Sequence, residues 1–150
     1  MLLNLNVKNF ALISDEEINF GNGLNIITGE TGAGKSILIG ALGLVLGKRA
    51  DSSSLRNNLE KCIIEAEFDI KNYQLKSYFD RHDLDYDFHT MFRREITPAG
   101  KSRSFINDTP VNLKVLQEIS SNLIEIHSQR DNVLLFTCLL YTSPSPRDPI

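Results

Sequence analysis

The sequence has few cysteines, no long apolar run and no excess of positive charge. Only Cys62 and Cys138 occur among 150 residues, which excludes a disulfide framework and favours a reducing cytosol. No apolar run approaches the about 20 residues of a membrane-spanning helix, and residues 1–4 lack the basic segment and cleavage site of a signal peptide. We therefore expect no membrane partner.

The formal net charge of −3 argues against a protein that coats nucleic acid, so any DNA contact must be local or supplied elsewhere.

One short segment carries a phosphate-binding pattern. Residues 29–36 read Gly-Glu-Thr-Gly-Ala-Gly-Lys-Ser, a complete G-x-x-x-x-G-K-S phosphate loop. An apolar run at residues 24–28 precedes it and helix-forming sequence follows it, so we predict a buried strand, a loop with inward-pointing backbone N–H groups, and a helix N-terminus. A glycine-rich turn that merely caps a helix is the alternative, and the flanking sequence disfavours it.

Each residue type of the loop has a chemical role. The lysine of such a loop reaches the β- and γ-phosphates and the serine hydroxyl binds Mg²⁺, which assigns these roles to Lys35 and Ser36. The loop predicts a nucleoside triphosphate and Mg²⁺ as cofactors, and ATP is the nucleotide that the family resemblance described below implies. The predicted binding residues are Gly29, Glu30, Thr31, Gly32, Ala33, Gly34, Lys35 and Ser36.

Hydrophobic periodicity predicts alternating strands and helices, an α/β fold of the P-loop NTPase class. Strands are predicted near residues 3–7, 18–20, 24–28, 62–70, 88–96, 102–106 and 123–126. Helices are predicted for residues 36–46, ending at Gly47, for 72–82 and for 112–122. Residues 97–100 are predicted to be a hairpin turn.

The last thirteen residues differ from the rest. Residues 138–148 match, residue for residue, the translation of a transposase-type sequencing adaptor; a Pro/Ser-rich linker is the alternative. We therefore expect two parts: residues 1–137 as a truncated lobe of the ATPase head type and residues 138–150 as a non-native tail that is no part of the fold.

Five segments, in order, resemble the RecN family of SMC-like ABC ATPases. They are residues 9–13, 27–36, 41–50, 102–107 and 126–129. The resemblance covers residues 1 to about 136. It implies the N-terminal lobe of an ABC/SMC-type ATPase head, with a mixed β-sheet and flanking helices, whose C-terminal lobe follows a long antiparallel coiled coil.

The resemblance also implies roles and partners. Gln129 matches the glutamine that contacts Mg²⁺ and the attacking water, so Lys35 and Gln129 are the expected catalytic residues, and Ser36 and Gln129 the expected metal ligands. Arg130 stands where the family often has histidine. Two heads of a homodimer would sandwich two ATP molecules, and the full-length protein would act on DNA in double-strand break repair and recombination. The expected location is cytoplasmic, in a bacterium, associated with the nucleoid.

Motifs needed for hydrolysis are absent from these 150 residues. A Walker B strand ends in an Asp-Glu pair, but residues 62–65 and 123–126 have no such pair, and no Ser-Gly-Gly signature occurs. Because hydrolysis depends on groups positioned around the γ-phosphate, we expect this piece to bind ATP–Mg²⁺ without hydrolysing it alone.

Two other functions remain open on the sequence. One is a RecF-type DNA-gap-binding ATPase, which shares the strand–loop–helix start but not the Gly29-Glu30-Thr31 form of the loop. The other is a P-loop kinase for a small metabolite, which needs an arginine-rich lid that we cannot place. Four basic residues on one predicted hairpin, Arg93, Arg94, Lys101 and Arg103, form a candidate DNA-phosphate contact; a solvated hairpin explains them equally well.

Overall fold

A six-stranded sheet organises the part of the chain that the computed structural model describes, residues 1–28 and 32–127. The strands are β1 (Leu2–Phe10), β2 (Ile13–Asn19), β3 (Cys62–Asp69), β4 (His89–Ile96), β5 (Ser102–Ile106) and β6 (Thr109–Val111). The helices are α1 (Gly32–Val45), α2 (Lys76–Arg81) and α3 (Leu113–Ser120), with a 3₁₀ turn at Ser52–Ser54.

The strands follow the order β2-β1-β3-β4-β5-β6, and every neighbouring pair is antiparallel. The hairpin predicted at residues 97–100 joins β4 to β5. The Thr97 N–H donates to the Lys101 carbonyl at 2.8 Å, and Gly100 takes a φ of +87°, which suits glycine.

The core lies between one face of this sheet and helix α1. Along β3, buried and half-buried residues alternate, as expected when one face is covered. Helix α1 packs on β1, β3 and β4, and α3 packs beside β5. The fully buried apolar side chains include Val7, Ala41, Val45, Ile64, Phe68, Phe92, Ile96, Ile106, Leu116 and Ile119.

Two predicted strands are wrong for the described residues. Residues 24–28 form no strand, and the Leu24, Ile26 and Ile27 side chains are 88%, 76% and 48% exposed. A strand needs a neighbour for its backbone hydrogen bonds, and residues 24–28 pair with no strand in the described ranges. Residues 123–126 also form no strand: a turn follows α3, in which the Leu123 N–H donates to the Ser120 carbonyl at 2.9 Å.

The predicted fold class is confirmed, with differences in detail. The helix after the phosphate loop ends at Val45, as Gly47 indicated, and α2 is shorter than residues 72–82. The described sheet is antiparallel throughout. No helix in the described ranges is long and apolar enough to cross a membrane. The tail at residues 138–150 lies outside the described residues.

Candidate functional site

The phosphate loop leads directly into helix α1. Residues 29–31 lie outside the described residues, and α1 starts at Gly32. Gly34, Lys35 and Ser36 are exposed in its first turn. Among the described residues, a Cβ placed on Gly34 would meet no heavy atom within 4 Å, so no described side chain fills the space beside this position.

The first turn of α1 favours an anion electrostatically. Its backbone N–H groups have no carbonyl partners within the helix, and the helix dipole places partial positive charge there. The turn contains no acidic residue that would neutralise this charge. Lys35 adds a full positive charge. Ser36 adds the hydroxyl oxygen expected for Mg²⁺, a cation that usually takes one or two protein oxygens beside those of the phosphates.

The opposite end of α1 is closed by its own backbone. The Lys48 N–H donates to the Gly43 carbonyl at 3.0 Å and the Gly47 N–H donates to the Leu44 carbonyl at 3.1 Å. These two bonds define a Schellman motif. Gly47 takes a φ of +113°, and a Cβ at this position would lie 2.5 Å from Gln117 Cγ.

Three side chains from other elements bind the remaining carbonyls at this end. Arg94 Nη1 of β4 donates to the carbonyls of Leu44 at 2.6 Å and Lys48 at 2.8 Å. From α3, Gln117 Nε2 donates to the Gly47 carbonyl at 2.6 Å and Ser120 Oγ to the Leu46 carbonyl at 2.5 Å. These three residues, which we call the carbonyl clamp, fix α1 to the sheet and to α3.

Sequence reasoning missed the carbonyl clamp, although one signal was present. Arg94 occupies an inward position of β4, between the buried Phe92 and Ile96. A cation at a core position needs hydrogen-bonding partners. The alternation of inward and outward residues along β4 therefore indicated a structural role for Arg94. Burial lowers the pKa of Arg94, but an arginine starts so far above neutrality that the guanidinium stays charged.

The predicted glutamine, Gln129, lies outside the described residues, but the chain leading to it is described. Residues 124–126 line a groove of about 650 Å³ together with Gly43 and Leu46 of the α1 C-terminal half. This groove shows where the described chain lies before it reaches residue 128. The role expected of Gln129 stays a prediction.

The predicted basic cluster on the β4–β5 hairpin is divided by the structure. Arg94 is buried in the carbonyl clamp, and Arg93 binds Asp108 at 2.9 Å and lies over the Phe105 ring at 4.4 Å. Lys101 and Arg103 remain exposed. The hypothesis of four solvent-facing cations is therefore wrong for Arg94, because its inward register carries it under α1.

Comparisons with known proteins place the chain in a family. The sequence model described as "AAA domain" matches residues 4–139, so the chain belongs to that family. A curated relative, the DNA repair protein RecN of Xylella fastidiosa, is 40% identical over 138 residues, which cover 91% of this chain and 25% of the relative. The chain thus spans about a quarter of that relative's length, and the predicted RecN resemblance is confirmed.

Solved structures agree on the fold. A structure from work on ATP-driven dimerization and DNA-stimulated activation of SMC ATPases matches with a TM-score of 0.68 at 21% identity, covering 98% of this chain and 95% of that one. A structure of the recombination mediator protein RecF with ATPγS matches with a TM-score of 0.59 at 18% identity, covering 77% of this chain and 29% of that one. Both likenesses concern the fold alone, which is that of an SMC-type ATPase head lobe.

Proposed function

We propose, from its membership of the AAA domain family, that this chain is the ATP-binding lobe of a RecN-type, SMC-like ATPase that acts in DNA repair and recombination. The observation that carries the proposal is the first turn of α1. It combines the G-x-x-x-x-G-K-S sequence, exposed backbone at Gly34, the cation of Lys35 and the absence of acidic residues in that turn.

In this proposal the phosphates of ATP lie against the N-terminus of α1. Backbone N–H groups of residues 29–34 and the Lys35 ammonium bind phosphate oxygens, and the Ser36 hydroxyl binds Mg²⁺, which supplies charge neutralisation on the β- and γ-phosphates when it is bound. The carbonyl clamp keeps α1 from shifting as this charge arrives. Because the helix is already fixed, little reorganisation accompanies binding.

Hydrolysis requires more than the first turn of α1. We assign to Gln129 the orientation of water and metal, a role supported by its match to the glutamine of the RecN-type sequence pattern. The signature motif and the Walker B acidic pair would come from the C-terminal lobe and from the second head of a homodimer. The exposed side chains of Leu24, Ile26 and Ile27 support this. An apolar segment that pairs with no strand of residues 1–28 and 32–127 is suited to join a sheet completed by that lobe. We further propose a cytoplasmic, nucleoid-associated location.

The alternatives are less well supported. The RecF-type ATPase shares the fold, as the RecF structure indicates, but the 40% identity is to a RecN protein. The small-metabolite kinase has no support from the relatives described above.

The proposed nucleotide site is tested by Lys35→Ala in the full-length protein that contains this lobe. The substitution removes a charge-assisted contact worth about 1.5–3 kcal/mol, so ATP–Mg²⁺ affinity should fall by about tenfold or more in calorimetric titration. Lys71→Ala, at an exposed turn after β3, is the matched control and should bind like the wild type. Equal affinities for wild type and Lys35→Ala would refute the site.

The role of Gln129 is tested by separating binding from turnover. Gln129→Ala should lower kcat for ATP hydrolysis by about tenfold or more while ATP affinity changes little, because an interaction made only in the transition state affects kcat. Arg130→Ala, the adjacent substitution, should have a smaller effect on kcat. A parallel loss of affinity and kcat in Gln129→Ala would instead assign the glutamine a structural role.

A further inference from the structure

A cavity of about 550 Å³ at the edge of the sheet is lined by three arginines, Arg49, Arg94 and Arg103, and by no carboxylate of the described residues. It lies where β6 ends. The last pair between β5 and β6 is Ser104 with Val111, so Ser102 and Arg103 extend beyond β6 and border the cavity.

Arg94 is the most buried of the three, with 1% of its surface exposed. Its Nε donates to Ser102 Oγ at 2.7 Å and its Nη1 donates to the Leu44 and Lys48 carbonyls. Nη2 has no acceptor in the described ranges, and no carboxylate of those ranges forms a salt bridge with Arg94. The two carbonyls supply only partial negative charge, so the buried cation lacks a full counter-charge among the described residues.

The two exposed arginines are also without an acidic partner. Neither Arg49 nor Arg103 forms an ion pair with a described residue. Glu95 lies opposite Arg103 in the β4–β5 register, but its carboxylate already contacts Lys61 at 3.3 Å and Arg93 at 3.4 Å. The N-terminus of α3, at Asn112 and Leu113, forms another wall and adds partial positive charge.

We propose that this cavity is an oxyanion site for a phosphate group, separate from the phosphate loop. Guanidinium groups suit phosphate better than a single carboxylate, because a planar N–H pair matches two phosphate oxygens at a time. Arg49 and Arg103 supply such pairs, whereas Arg94, whose Nε and Nη1 donate within the fold, adds its charge and Nη2. The phosphate comes either from a free phosphate compound or from the DNA backbone, since the chemistry is the same. The site lies beyond the C-terminal end of α1, about 20 Å along that helix from the loop, and does not depend on nucleotide binding there.

The first test uses inorganic pyrophosphate with the full-length protein in a Lys35→Ala background, which removes the main cation of the phosphate loop. Arg49→Gln and Arg103→Gln are suitable because both side chains are exposed and neither belongs to the carbonyl clamp. Each should weaken pyrophosphate binding about three- to tenfold in calorimetric titration, and the double variant should weaken it more than tenfold. Lys71→Gln, which removes one charge near the other end of β3, is the control.

The second test measures the salt dependence of binding to a short DNA duplex by fluorescence anisotropy. Each backbone phosphate contact contributes roughly 0.9 to the slope of log K against log salt, so the double variant should lower the slope by about 0.9 if one DNA phosphate occupies the site. Loss of pyrophosphate binding with an unchanged slope assigns the site to a free phosphate compound. If the double variant matches Lys71→Gln in both measurements, the proposed site is refuted.

Discussion

The two ends of helix α1 differ in what holds them. At the C-terminal end, a Schellman motif and three side chains from β4 and α3 bind the terminal carbonyls. At the N-terminal end, Gly34 and Lys35 are exposed and the first turn contains no acidic residue. The two ends of the helix therefore serve different purposes. The C-terminal end anchors the helix in the fold, and the exposed N-terminal end has the charge and hydrogen-bond donors that suit phosphate.

This division predicts that substitutions at the two ends have separable effects. Changes in the carbonyl clamp should lower stability and leave the chemistry of nucleotide binding intact. Changes in the first turn should weaken nucleotide binding and leave the stability of the fold nearly unchanged, because exposed side chains contribute little to folding.

The largest expected effect is that of Arg94→Ala. It removes a buried side chain and leaves the Lys48 carbonyl and Ser102 hydroxyl without this donor, which should cost about 3 kcal/mol or more. Urea denaturation of the full-length protein should show a lower unfolding midpoint. Arg94→Lys, which keeps the charge but not the planar donor pair, should recover part of the loss. A midpoint like that of the wild type would mean that the clamp does not stabilise α1.

Gly47→Ala should have the next largest effect. The substitution forces alanine into a φ of +113° and places its Cβ 2.5 Å from Gln117 Cγ, so we expect a loss of about 2–3 kcal/mol. Gly23→Ala is a matched control, since Gly23 also has a positive φ, of +79°, but a Cβ there meets no atom within 4 Å. The difference between the two melting temperatures isolates the collision with α3. Equal losses would show that the close approach of Gly47 to Gln117 is unimportant.

A smaller effect is expected for Ser120→Ala. The Ser120 hydroxyl is one of three clamp donors, and a single hydrogen bond of this kind is worth about 1 kcal/mol. Ser121→Ala removes the neighbouring, exposed hydroxyl and should change the urea midpoint by less. If the two substitutions had the same effect, the Ser120 contact with the Leu46 carbonyl would not contribute to holding α1.

The sequence predicted the parts of this comparison that depend on local pattern. The phosphate loop is a contiguous motif, and Gly47 marked the end of α1 because few other residues adopt its backbone conformation. The clamp depends on contacts between residues 46 to 74 positions apart, which periodicity does not reveal. The strand predicted at residues 24–28 failed for a related reason: its apolar pattern is real, but a strand forms only where a partner supplies hydrogen bonds.

The most direct test of the account is one thermal-melting experiment on the full-length protein with and without ATP–Mg²⁺. A ligand that binds only the folded state raises the melting temperature, and at a fixed ligand concentration the rise is larger when the affinity is higher. We predict that Lys35→Ala has the melting temperature of the wild type without ATP and a much smaller rise in melting temperature when ATP–Mg²⁺ is added. Gly47→Ala should have a lower melting temperature without ATP but keep most of the rise that ATP–Mg²⁺ causes in the wild type. An ATP-induced rise in melting temperature as large in Lys35→Ala as in the wild type, or no such rise in Gly47→Ala, would contradict the account. In that account nucleotide binds at the N-terminal end of α1 and the fold anchors its C-terminal end.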